Sequence, residues 1–513
     1  IIIADPWGIQ RALAVQQLEL SPDLPEHPMS DRLNLLFIMP DQLRADFLSC
    51  YGADFIETPH IDGLAARGVR YERAYSPSPI CVPARAMLLT GRNAIQTGVL
   101  TNEHYLRPDL GDCGIRTWPE QLSAAGYATA AIGKMHFYPW DIGLGFQQRV
   151  VCEDKRWLLI DDDYQKHLKE NGYRKLHGNE HEGYHENKGA ICHKIPWAHS
   201  WDYFVGDAAC KHIRNHPQDR PFAMMVGFPG PHCPYDPNAE YLEGFDEADM
   251  PDPIPEVPGN TTRLREQNVD GNRRPWNGVD YSEFTDAQKR KIRTHYAALV
   301  KQIDDEVGAI LASLEETGQL DNTLIIFSSD HGDHLGDHNL IGKATYYEAS
   351  IKVPLIVCGP GIEQDKVSHH LVSIGDITAT LLKAGGCPLP GYLDARPLPD
   401  LGVADVPPRD RIIGFLSSGC MHFDGTWKLV KYTTGEMLLF NLQEDPTEQY
   451  NRIDDPDCQA VYRRLDTVLT QEMLRSITDS HHEKRVAYTA LYDGEEFGQK
   501  GWQRVYPQPF QSQ

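Results

Sequence analysis

Several things are missing from this 513-residue chain, and each absence narrows what it can be. No stretch reaches the roughly 18 uninterrupted apolar residues that a membrane-crossing helix needs, so no span is expected. Residues 1–30 hold no basic segment followed by an apolar core, so they read as an N-terminal extension rather than a secretory leader. Met29 reads as the natural start, and the cytoplasm is the expected compartment. The eleven cysteines include no CxxC pair, and their odd count leaves at least one unpaired, which fits a reducing environment. There is no internal repeat and no low-complexity tract. Positive charge is scarce: 49 Lys and Arg against 73 Asp and Glu give a net charge of −24. That balance argues against nucleic acid and anionic membranes as partners, because phosphate backbones are held by clustered Lys and Arg.

What is present is the pattern of a large α/β enzyme. Short, almost wholly apolar runs at 33–40, 128–132, 222–228, 323–328 and 353–358 read as strands buried on both faces. Helical stretches lie between them. The clearest spans 286–316, where Ile292, Tyr296, Leu299, Ile303, Val307, Ile310 and Leu314 form one apolar stripe and Gly318 follows as a stop. Strands alternating with helices predict a large, mostly parallel sheet between helix layers over 31–408. Strand-like runs at 411–418, 427–434 and 437–442, then a helix over 457–476, predict a smaller antiparallel α+β subdomain over 409–476. Residues 477–513 read as a C-terminal arm that packs against another subunit, so a homo-oligomer is expected. Two segments interrupt the rhythm, 141–200 and 248–280, and read as surface insertions of the kind that form lids. Within the first, His177, His181 and His185 could be drawn as a metal site, but the glycines around them favour a mobile polar lid.

In parallel α/β sheets ligands sit beyond the carboxyl ends of the strands, so the polar residues that follow the apolar runs are the candidates: Asp41 and Gln42, Lys134 and His136, His232, Asp330 and His331. A further segment stands out. In Cys81-Val82-Pro83-Ala84-Arg85-Ala86-Met87-Leu88-Leu89-Thr90-Gly91-Arg92, Pro83 suits a first helical turn and Gly91 a stop, which puts Cys81 at a helix N-terminus where free N–H groups favour an anion.

This segment resembles the signature of the type I sulfatases, CxPxR followed by a leucine-rich turn and TGR. The family belongs to the alkaline phosphatase superfamily. The resemblance implies that a formylglycine-generating maturation enzyme oxidises Cys81, and that one hydroxyl of the hydrated aldehyde attacks sulfur while the other later expels sulfate. A thiol has no second hydroxyl with which to do this. It further implies that Arg85 holds the hydrate and that Asp41, Cys81, Asp330 and His331 ligate one divalent metal. Lys134 and His136 lie in a GKxH-like element, His232 in a PHxP-like element, and Lys343 downstream of the DHG motif. By the same resemblance Lys134 binds sulfate, His136 handles the nucleophile's protons, and His232 or Lys343 protonates the leaving oxygen. Asn102, 21 residues after Cys81, is matched to a substrate-contacting asparagine.

Many sulfatases have Asp-Asp and Asp-Asn where this chain has Asp41-Gln42 and Asp330-His331. The latter combination is similar to choline sulfatases and phosphonate monoester hydrolases. Ca²⁺ is the expected metal, with Mn²⁺ as the alternative an imidazole ligand admits, and Gln42 is placed as a substrate contact. Three readings follow in order: hydrolysis of a small-molecule sulfate ester, hydrolysis of phosphonate monoesters or phosphodiesters, and a non-catalytic binding protein in which Cys81 stays a thiol.

Overall fold

A computed structural model describes residues 32–154, 156–260, 262–402 and 407–482. The expected extension over 1–30 and the arm beyond residue 482 lie outside the described residues. Eight strands form the main sheet: β1 (Asn34–Asp41), β2 (Gly68–Tyr75), β3 (Ala128–Gly133), β4 (Gln148–Val151), β5 (Phe222–Pro231), β6 (Thr323–Ser328), β7 (Leu355–Cys358) and β8 (Lys366–Ser373). Their order is β4-β3-β5-β1-β6-β7-β2-β8. Every neighbouring pair is parallel except those made by β7, which runs against β6 and β2.

The central strands are continuously apolar because both faces are covered. Along β1, Leu36 and Ile38 point into one core, while Leu35, Phe37 and Met39 point into the other. The Trp201–Asn215 and Asp286–Glu316 helices supply the first core, and the Cys81–Thr90, Trp118–Ala124 and Asp376–Ala384 helices the second. Fully burying each aliphatic side chain contributes about 1.5–3 kcal/mol, so the two layers rather than local propensity hold the strands in register. The 31-residue helix Asp286–Glu316 has the bounds its periodicity predicts, opened by a capping box of Thr285 and Gln288.

A second sheet stands near the C-terminus, with β9 (Ile412–Leu416), β10 (Gly419–Phe423), β11 (Trp427–Tyr432) and β12 (Met437–Asn441) in an antiparallel meander. The Gln459–His482 helix packs on it through Leu465 and Leu469. The sequence reading missed β10, because Gly419 and His422 interrupt its apolar pattern.

The segment 141–200 differs from the polar lid expected of it. It contributes the edge strand β4 and the helix Asp163–Glu170, and it buries Tyr164, Leu168, Tyr184, Ile191 and Ile195 in the first core. His181 is buried and stacks on His193, while His177 and His185 lie apart from any metal-ligating group among the described residues. The segment 248–280 carries the Thr262–Arg273 helix, which lies over the sheet's carboxyl edge. Among the described residues no helix is long and apolar enough to cross a membrane, and all eleven cysteines are free thiols.

Candidate active site

Neighbouring strands β3, β5, β1 and β6 end at the same edge of the sheet, and each releases a reactive side chain there. β1 ends in Asp41 and turns through Gln42, whose φ of 72° is rare for a residue with a side chain. β6 leads through Ser329 to Asp330 and His331. The tight turn is possible because residue 332 is Gly: a Cβ there would lie 2.1 Å from the Ala349 carbonyl oxygen. β3 ends at Gly133, where a Cβ would lie 2.1 Å from the Gly227 oxygen, and that close approach ties the Lys134 N–H to Gly227 at 2.8 Å. β5 delivers His232. Cys81 faces these strand ends as the first residue of the Cys81–Thr90 helix.

The helix start places the Cys81 sulfur amid the strand-end groups. Its Sγ lies 3.0 Å from Lys343 Nζ, 3.3 Å from His331 Nε2 and 3.7 Å from Asp41 Oδ1. Burial pushes the thiol up, but Lys343, His331 and Lys134 outweigh it, and His136 adds a hydrogen bond, so the thiol is held well below its ordinary range. The site therefore stabilises negative charge on residue 81. Asp41 is likewise lowered: burial and Cys81 work against ionisation, and Lys134 and Lys343 prevail.

Asp41, Cys81, Asp330 and His331 each present one donor atom, all within 4.8 Å of one another and all buried. His331 Nδ1 is 3.0 Å from the Gly332 carbonyl, which fixes that nitrogen as the donor and leaves Nε2 as the ligating atom. Two carboxylates, one imidazole and a fourth position at residue 81 suit one hard divalent cation. The residues present thus fit the metal that the sequence implies.

Arg85 braces this cluster. Its Nε donates to Asp330 Oδ2 at 2.9 Å, its Nη2 to Asp41 Oδ2 at 3.1 Å and its Nη1 to the Lys134 carbonyl at 2.7 Å. One guanidinium therefore locks three strand ends together. Lys134 Nζ is 2.7 Å from Asp41 Oδ2 and 3.8 Å from Asp154 Oδ2. His232 donates from Nδ1 to the Cys233 carbonyl at 2.7 Å, leaving Nε2 to face Cys81. Burial, with Lys343 and Arg156 near, lowers His232 to about 3, so its ring is neutral and offers an acceptor. The N–H donors beside residue 81 come from Lys343 and His136 instead.

All eleven predicted site residues lie in this region, and two have functions beyond those expected. Asn102 Oδ1 accepts the Val82 N–H at 2.9 Å, so it caps the start of the Cys81–Thr90 helix, in addition to lining the cavity above Cys81. The Gln42 amide joins Lys343 to Asp333, with Oε1 2.6 Å from Lys343 Nζ and Nε2 donating to the Asp333 carboxylate.

Sequence reasoning missed Asp154, Arg156, Trp157, Asp333 and Tyr235. Asp154 and Arg156 follow β4, inside the segment expected to be a surface insertion, and the short run QRVV ahead of them is the available signal. Above Cys81 a cavity of about 440 Å³ is walled by Tyr138, Trp157 and Trp276, with Arg156 laid over the Trp276 ring at 4.8 Å. The Trp157 ring meets His136 edge-on at 5.1 Å.

Comparison with known proteins agrees with this geometry. The chain is 30% identical over 469 residues to an arylsulfatase of Clostridium perfringens, covering 86% of this chain and 94% of the relative. It is 29% identical over 453 residues to a choline-sulfatase of Rhizobium meliloti, covering 82% and 83%. Among solved structures, a phosphonate monoester hydrolase from Silicibacter pomeroyi superposes with a TM-score of 0.72 at 25% identity, covering 87% of this chain and 96% of that one. Residues 33–387 match the sequence profile of the sulfatase family, and the chain therefore belongs to that family.

Proposed function

We propose that this sulfatase cleaves a small-molecule sulfate monoester with a formylglycine made from Cys81 and one Ca²⁺, or alternatively Mn²⁺, held by Asp41, residue 81, Asp330 and His331. The observation that carries the reading is the convergence of Lys343 and His331 on the Cys81 sulfur, with His136 and His232 beside it, next to a cavity that His136, His232 and Lys343 help to line. The sulfur marks the position that an oxygen of the hydrated aldehyde takes after oxidation. The hydrate supplies two hydroxyls on one carbon, one to accept the sulfuryl group and one to release it. The metal, when bound, lowers the cost of charge on the attacking and sulfate oxygens.

The remaining work falls to the chain's own side chains. Lys134 and Lys343 oppose the charge of the sulfate, and this environment is preorganised because Arg85, Asp41 and Asp154 already fix their partners. Lys343 is the donor placed to serve the departing oxygen, since neutral His232 has its one N–H committed to Cys233. His232 is then the acceptor for a proton of the hydrate, and His136 hydrogen-bonds residue 81 from beside it. The aromatic walls and the Thr262–Arg273 helix surround the alcohol half of the ester.

The Gln42 and His331 pair and the phosphonate monoester hydrolase neighbour favour a second reading, hydrolysis of phosphonate monoesters or phosphodiesters at the same site. Both readings are tested together. Protein co-produced with a formylglycine-generating enzyme is digested, and peptide 74–85 is weighed for the aldehyde. Turnover of aryl sulfate, aryl phosphonate and diaryl phosphate is then compared. We expect the aldehyde and a preference for sulfate; an intact thiol in fully active protein overturns the mechanism, and a preference for phosphonate overturns the ranking.

A further inference from the structure

We propose that Asp333 is the positioning residue for Lys343, holding its ammonium group against residue 81 through two separate tethers. This rests on the sulfatase reading above for its consequence in turnover, but its geometry stands independently. Asp333 is fully buried and accepts four hydrogen bonds. Oδ1 takes the Leu335 N–H at 3.1 Å and the Gly342 N–H at 2.7 Å; Oδ2 takes the Tyr235 hydroxyl at 2.7 Å and the Gln42 amide. No cation is among these donors, so the carboxylate is spent entirely on orienting neutral groups.

The first tether runs through the side chain of Gln42. An amide can sit in its slot in two senses, and here only one works. With Nε2 against the acceptor-only carboxylate of Asp333, Oε1 must face Lys343, where it accepts at 2.6 Å. Reversal would set oxygen against carboxylate and NH₂ against ammonium, two repulsive contacts. The Gln42 backbone is pinned as well, by its N–H to Asp330 Oδ1 at 3.0 Å and its carbonyl to the Tyr296 hydroxyl at 2.6 Å. The second tether is the backbone itself. The Asp333 carboxylate fixes the Gly342 N–H, one residue before Lys343, while the Gly342 carbonyl accepts the His334 N–H at 2.7 Å and the Ala344 N–H reaches Pro79 at 3.0 Å.

Lysine needs such help. Its four-carbon stem has many rotamers, and Lys343 is the cation of the cluster with the most exposed side chain, 14% against 1% for Arg85 and Lys134. Untethered, the ammonium would sample the open cavity rather than stay 3.0 Å from Cys81 Sγ. Asp333 makes no contact with the sulfur, so its effect on residue 81 is carried by Lys343.

The test compares Asp333→Asn, Lys343→Ala and the double variant. Asparagine keeps the shape but cannot accept all four bonds. The expected result is a kcat on aryl sulfates lowered about 100-fold by Asp333→Asn, the loss typical of a misplaced catalytic group, with KM changed little. Leaving groups of high pKa should suffer most. The double variant should be no slower than Lys343→Ala, because both changes remove one function. A readout free of turnover is the rate of reductive methylation of Lys343 against that of Lys366, followed by peptide mass; it should rise in Asp333→Asn. If Asp333→Asn fails to fold, Gln42→Met cuts the side-chain tether alone and should raise the same rate. Multiplicative losses in the double variant, or unchanged methylation of Lys343, overturn the proposal. Wild-type protein inert toward sulfate esters would instead sink the functional reading and leave the methylation result standing.

Discussion

At the scale of single residues the site depends on fork geometry. Arg85 reaches three acceptors on three strand ends from one planar group, which a lysine cannot imitate. Arg85→Lys should therefore leave Asp41 and Asp330 less well aimed and weaken metal binding by about 10–100-fold, the usual penalty for losing a group that orients ligands. Calorimetric titration of Ca²⁺ into chelator-treated protein measures this, and an unchanged affinity would show that the two carboxylates orient themselves. The Cys81 segment was legible because all twelve residues are contiguous. The roles of Gln42 and Asn102 were not, because an amide's purpose lies in its partners, and those partners are 291 and 20 residues away.

At the scale of elements, the Cys81–Thr90 helix has no side-chain cap from its own N-cap residue, Ile80. Asn102 supplies one from a distance by accepting the Val82 N–H. Asn102→Ala should cost about 1 kcal/mol, as loss of an N-cap does, readable as a lower urea midpoint with an unchanged slope. Full stability in that variant would mean the helix start is held by its burial alone. Elements read well from the sequence where both faces are apolar or the period is long: β6 and the Asp286–Glu316 helix match their predicted bounds. Short elements with a broken apolar pattern read badly, the interior strand β10 among them. β4 is half-exposed and only four residues long, so it carries no periodic signal, and with it went Asp154 and Arg156. The burial of Tyr164, Tyr184 and Ile191 was hidden for a related reason, since isolated apolar residues in a polar stretch find their core only through tertiary contacts.

At the scale of the whole molecule, buried imidazoles set the response to acid. His212, His295 and His338 are lowered to about 4, and His232 and His334 to about 3, by burial first in every case. An unfolded histidine titrates near 6.5, so as pH falls the unfolded chain takes up protons that the folded one refuses. Stability from these groups is complete above that value and drains away as pH falls from 6.5 to about 4 for His212, His295 and His338 and to about 3 for His232 and His334. Glu448, raised to about 7, Glu306, raised to about 8, and His331, also raised, act in the opposite sense and offset part of the loss. The net expectation for metal-free protein is a lower urea midpoint at pH 5 than at pH 7, by about 1.4 kcal/mol per pH unit for each uncompensated proton. A midpoint that rises toward pH 5 would show that the carboxyl groups dominate. The burial of Cys81 has a consequence of another kind. Cys81, Pro83 and Arg85 are buried once the sheet has assembled and no longer form an extended segment that another enzyme can grip, so on the proposed chemistry the oxidation must be finished while the chain is still leaving the ribosome or newly released. Maturation and folding then run as a race with a single winner per molecule. A batch made with too little of the oxidising enzyme would hold two permanently distinct populations, and no later incubation of the native protein would convert one into the other.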